Sequence, residues 1–158
     1  MIKDAIISEC GKYRYRLTRR WEPDGKVVNF IMLNPSKADA IKGDPTITRC
    51  INFAKSWGYS ALVVTNLFAW RATKPKDLKP LTLSAAIGPE NDHYISNNAV
   101  LAHQVVFAWG ANPTRGRSQQ VMEIIRKLGI TPKVIRLTSK GAPEHPLRLP
   151  ADCQLVEL

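Results

Sequence analysis

A chain of 158 residues, 44% of them hydrophobic, is long enough to bury a core as one domain without disulfides or a metal staple. No run approaches the ~18–20 apolar residues of a membrane span, and Met1–Ala5 begins no secretory leader, so a cytoplasmic protein is expected. The formal charge of +10 sets up a long-range field that attracts polyanions, which puts nucleic acid or another phosphorylated partner such as a nucleotide first, without identifying which polyanion. It leaves the oligomeric state open.

The three cysteines, Cys10, Cys50 and Cys153, are far apart and form no C-x-x-C pair. They read as reduced small hydrophobes, with no metal and no cofactor expected.

Tyr13 to Leu17 alternates in period two, as a half-exposed strand does. Pro23-Asp24-Gly25 signals a turn, and the apolar run Val27 to Leu33 follows. This predicts an antiparallel edge strand or hairpin leading into a central strand. Asp44 as N-cap and Pro45 in the first turn open a helix that Gly58 ends. Ala61 to Phe68 reads as a second buried strand, and Ala72 to Gly88 as a loop rich in proline and lysine. A helix is expected from near Pro89 to about Ala102, and a third strand over Val105–Trp109. An amphipathic helix over Ser118–Leu128 and a fourth strand over Lys133–Leu137 complete the pattern. Strand–helix alternation of this kind predicts a three-layer α/β/α sandwich around a mostly parallel four-stranded sheet. Ligands on such folds bind at the carboxyl ends of the strands.

That rule selects Asn34-Pro35-Ser36, Thr65-Asn66-Leu67, Gly110-Ala111-Asn112 and the region after Thr138. No Walker loop, G-x-G-x-x-G, nucleophile elbow or H-E-x-x-H motif is present. The Asn34 carboxamide could hold a water or read a ligand edge, and it equally suits an Asn that closes a turn. Asn66 lies in an apolar run, where a buried amide needs a partner; a strand-end amide facing a pocket and a structural network are its two readings. His145, between Pro143 and Pro146, has few backbone choices and could present a fixed donor, or it sits exposed in its loop. Gly110 to Ser118 joins a strand to a helix and carries Arg115 and Arg117, a pattern that suits phosphate. Arg71, Lys74, Lys76 and Lys79 form a basic loop beside Trp70 that could track a nucleic-acid backbone, or be simply solvated.

The motifs Met32-Leu33-Asn34-Pro35-Ser36, Gly43-Asp44-Pro45-Thr46, Thr65 to Thr73, Gly88-Pro89-Glu90-Asn91-Asp92, Trp109-Gly110 and His145-Pro146-Leu147 together resemble the bacterial and phage domain-of-unknown-function family 1643, over nearly the whole chain. More distantly, the layout resembles the uracil-DNA glycosylase superfamily. The second resemblance implies a water-positioning role for Asn34, with Pro35 and Ser36 beside it, base reading by Asn66, and stabilisation of the departing base by His145. Leu147 or Arg148 would be the wedge that replaces a flipped nucleotide, and Arg71, Arg115 and Arg117 would contact phosphate. Thr46-Ile47 stands where that superfamily has a base-stacking aromatic, and Leu147 stands where it has the serine of His-Pro-Ser. The implied activity is water attack on an N-glycosidic bond in nucleic acid; the alternatives are a non-catalytic nucleic-acid-binding module and an enzyme on free nucleotides or nucleosides. The sequence does not say whether Asn91 and Asp92 cap a helix or line the site.

Overall fold

The computed structural model describes residues 1–158 as a mixed α/β protein built on a seven-stranded sheet and four α-helices. The strands are β1 (Ile2–Ile7), β2 (Arg14–Arg20), β3 (Val27–Met32), β4 (Ala61–Asn66), β5 (Gln104–Phe107), β6 (Lys133–Val134) and β7 (Val156–Glu157). The helices are α1 (Pro45–Ser56), α2 (Leu83–Ile87), α3 (Asn91–Leu101) and α4 (Arg117–Lys127). Across the sheet the order is β1-β2-β4-β3-β5-β6-β7. β3 pairs in parallel with β4 and β5, and β5 with β6. β1, β2 and β7 join antiparallel. No helix is long and apolar enough to cross a membrane.

Period-two alternation distributes the central strands between two buried clusters. Val28, Phe30 and Met32 of β3 and Val106 of β5 pack with Ile47, Cys50, Phe53 and Ala54 of α1. Ile31 of β3 and Val105 and Phe107 of β5 pack with Ile95 and Ala99 of α3 and Val121 and Ile125 of α4. Removing side chains of this size from water contributes about 1.5–3 kcal/mol each, so the sheet is held from both sides by residues adjacent in sequence.

The structure differs from the sequence reading in several places. β2 is not an edge strand: it lies between β1 and β4, and hydrogen-bonds to β4 and not to the β3 that follows it. The segment read as loop contains α2, which Thr82 starts by accepting from the Ala85 N–H at 3.2 Å. The fourth strand stops at Val134, because the chain turns away into a loop closed by Leu137 bridging Pro143 and by the Arg136–Glu144 ion pair at 2.6 Å. β7 at the carboxyl end has no counterpart in the sequence reading; two residues carry too short a pattern to read.

Candidate functional site

Three loops meet beyond the carboxyl ends of β3, β4 and β5. The amides of Leu67 and Phe68 continue the β4 ladder by donating to Met32 and Leu33. Pro35, buried, accepts from the Ala72 N–H at 3.0 Å. The Gly110 N–H donates to the Pro143 carbonyl at 2.8 Å and ties the His145 loop to the end of β5. Gly110 has φ +81, a backbone conformation that side-chain-bearing residues rarely adopt, so glycine suits this turn.

The space between these loops is a cavity of about 250 Å³, whose lining includes Asn34, Ser36, Thr46, Asn66 and His145. Five predicted site residues thus come together, with Gly110, Ala111 and Asn112 of the segment after β5 beside them. Asn34 donates both amide hydrogens to backbone carbonyls, of Ala72 at 2.9 Å and Pro35 at 3.1 Å. That fixes the carboxamide and leaves Oδ1 as its free acceptor. Ser36 donates to Asp44 Oδ2 at 2.9 Å, while Asp44 Oδ1 caps α1 by accepting from the Ile47 N–H at 2.9 Å. One carboxylate therefore couples the loop after β3 to the helix start beside the pocket.

Asn66 is 2% exposed, and its side chain makes no hydrogen bond; Nδ2 is a buried donor without a partner. A buried amide left this way costs about 1–3 kcal/mol, a cost the rest of the fold does nothing to offset. Its backbone is held by Asn91, which is fully buried and donates from Nδ2 to the carbonyls of Asn66 at 2.9 Å and Leu67 at 3.1 Å. Asn91 neither caps by its side chain nor lines the pocket: it positions the strand end. Replacing Asn91 by Ala is expected to lower stability by about 1–3 kcal/mol, read as a shifted denaturation midpoint with unchanged slope.

His145 accepts the Leu147 N–H at Nδ1, 3.2 Å away, and starts the short 3-10 turn Pro146–Arg148. An acceptor at Nδ1 is a neutral ring with its proton on Nε2. Burial lowers the His145 pKa from its ordinary value, and the charge of Asp44 opposes this in part. The result is a neutral donor at the pocket wall.

The other predicted positions fall outside the cavity. Leu147 and Arg148 are exposed on the turn after His145. Arg71 donates to the Gly11 carbonyl at 3.3 Å. Arg115 donates to the Leu81 carbonyl at 3.0 Å and lines a neighbouring cavity of about 220 Å³ with Lys76 and Lys79. Arg117 corrects the expectation of a phosphate contact: it is 1% exposed and is used up by the Leu67 carbonyl at 2.8 Å, Gln120 at 3.2 Å and Asp92 at 2.5 Å. A guanidinium enclosed in this way has no face left for a ligand.

Sequence reasoning missed Arg14, Asp44 as the loop-to-helix link, Thr73 and Trp109, all of which line the cavity. The alternation of Tyr13 to Leu17 does not reveal where Arg14 points. Ile6 pairs Arg16 and Ile7 pairs Arg14, with a register shift between them. This leaves Tyr15 as an extra, unpaired residue. Such a bulge re-aims the neighbouring side chains: Tyr15 stacks on Tyr94 of α3, Leu17 joins the α1 cluster, and Arg14 lines the pocket.

Fold and site together define a mixed α/β protein with a polar pocket at its strand ends. The chain belongs to the family described as Protein of unknown function (DUF1643), whose model matches residues 14–147. No curated protein and no solved structure matches it.

Proposed function

We propose that this is a glycosylase-like protein that takes a base of nucleic acid, DNA before RNA, into the strand-end pocket and hydrolyses its N-glycosidic bond. The observation that carries the reading is the unpartnered carboxamide of Asn66 in a cavity that also presents the Asn34 acceptor and the His145 donor. In this reading the helices sandwich a parallel core of β4, β3, β5 and β6 in three layers, as in the superfamily the sequence resembles.

Asn34 Oδ1 accepts from a water and orients its oxygen toward the sugar carbon. The water forms the new C–O bond there, while the electron pair of the C–N bond leaves with the base. Negative charge develops on the base, where the His145 Nε2–H donates to a base oxygen and the Asn66 amide pairs with its edge. A preorganised donor aimed at developing charge is the usual source of a large rate effect. The water's proton passes to solvent or to the departing base, because a carboxamide orients without accepting it. Met32, Ile47 and Trp109 form apolar wall against which a flipped base would lie. Lys76, Lys79 and Arg115 flank the adjoining cavity, which shares Leu33, Pro75 and Asn112 with the first and would carry the neighbouring backbone. Leu147, 44% exposed, or Arg148 would fill the gap in the stack.

The test is incubation with single- and double-stranded DNA carrying uracil, hypoxanthine or oxidised bases, followed by alkaline cleavage at abasic sites. Release is expected on at least one substrate and is expected to disappear with Asn34→Ala. Absence of abasic product across the panel would discard hydrolysis and leave salt-dependent binding without turnover as the reading.

A further inference from the structure

Arg14 takes no part in the roles proposed above, yet it lines the pocket. It is 2% exposed; the single hydrogen bond of its side chain runs from Nη1 to the Ala38 carbonyl at 2.9 Å, and Nε is a buried donor with no partner. No carboxylate lies within ion-pair distance of it. Asp44 exerts the largest attraction, but both its oxygens are occupied by Ser36 and Ile47. The remaining charges acting on Arg14 are Asp39 on one side and Arg19 and Arg71 on the other. No carboxylate therefore pairs directly with Arg14, and its charge is met only at a distance.

Burying an ion in this way costs several kcal/mol unless a counter-charge arrives. Burial lowers the Arg14 pKa to about 10, so it stays protonated at neutral pH. The start of the 12-residue α1, at Thr46 and Ile47, lines the same cavity, but the Asp44 carboxylate already answers the positive end of that helix, so the cation left to meet a ligand there is Arg14. The bulge at Tyr15 is what directs Arg14 there, and bulges are a common device beside functional sites.

We infer that Arg14 is an anion-binding group of the pocket, and that the pocket's ligand carries a phosphate oxyanion seated against its guanidinium. This names the ligand class of the proposed site as a phosphorylated nucleotide in preference to a bare base or nucleoside. It rests on that reading only for the choice of nucleotide probes, since holding a phosphate requires no bond cleavage. A free nucleotide and the phosphorylated end of a strand present the same chemistry.

Calorimetric titration of the full chain with a nucleoside, its 5′-monophosphate, inorganic phosphate, and a short single-stranded oligonucleotide with or without a 5′-phosphate tests it. The monophosphate is expected to bind about 10- to 100-fold more tightly than the nucleoside, the range of a charge-assisted hydrogen bond, with inorganic phosphate competing. Arg14→Met is expected to abolish that preference and to melt no lower than wild type, because an apolar side chain of similar reach relieves a buried charge. Preference for the 5′-phosphorylated oligonucleotide assigns the anion to a strand end, and tighter binding of the monophosphate than of either oligonucleotide assigns it to a free nucleotide. Equal binding of nucleoside and monophosphate, or an undiminished preference in Arg14→Met, overturns the inference. Should Arg14→Met fail to fold, Arg14→Gln keeps a donor for Ala38, and the same two outcomes decide. Loss of base release with an intact phosphate preference would remove the glycosylase reading alone.

Discussion

His145→Asn is expected to slow base release by about 10²–10³-fold, the loss typical of one donor to developing negative charge, while the fold survives. The substitution discriminates because of how His145 is held. Its Nδ1 accepts the Leu147 N–H, and an Asn side chain can place an oxygen close to that position, so the turn keeps its cap while the Nε2 donor disappears. Single-turnover kinetics should show the loss in the chemical step, with substrate affinity nearly unchanged. The pH behaviour follows from the same geometry. The folded-state pKa lies below the ordinary value of 6.5, so the unfolded chain takes up this proton first as pH falls. The contribution of His145 to stability is therefore full above about pH 6.5 and is lost on acidification toward its lowered folded value. In His145→Asn that part of the acid dependence should vanish. A variant that cleaved at the wild-type rate would remove His145 from the chemistry.

Asn34, Asn66 and His145 are legible in sequence because each breaks a local rule. Asn34 and Asn66 are amides where an apolar run ends, and His145 is a ring confined by two prolines. The strand-end rule needs only the order of elements, so it brings them to one place without knowledge of any contact. Arg14 is illegible for the complementary reason. Tyr13 to Leu17 reads as a clean alternation, and the bulge that reverses it is set by pairing with β1, a non-local event. The same holds for β2 beside β4: hydrophobic pattern locates a strand but does not name its neighbour. Asn91 can be suspected from its motif, yet its role depends on carbonyls 24 and 25 residues away in sequence. Arg117 shows the opposite failure, a local pattern that points to the wrong use. Glycines and arginines at a helix start suit phosphate, but nothing local reveals that Leu67 and Asp92 have already claimed the side chain.

Arg117→Ala is accordingly expected to cost stability and leave nucleic-acid affinity alone. The guanidinium is 1% exposed, and Asp92, its carboxylate partner, has a side chain 62% exposed. Truncation opens a cavity between the start of α4 and β4's end and takes one donor from the Leu67 carbonyl, a loss of about 3 kcal/mol by comparison with other large-to-small changes. For a chain of this length that lowers the melting temperature by about 6–12 °C. Asp92→Asn should cost less, about 1–3 kcal/mol, because solvent already shares in stabilising the pair on its exposed side. Combining the two changes should cost less than the sum of the separate effects, since both remove the same ion pair. The salt dependence of DNA binding distinguishes this role from the one the sequence suggested. If Arg117 held a phosphate, its truncation would flatten the slope of log affinity against log salt by about one unit, whereas a buried strut leaves it unchanged at any temperature where the variant is folded. A flattened slope with an unaltered melting temperature would return Arg117 to the binding surface.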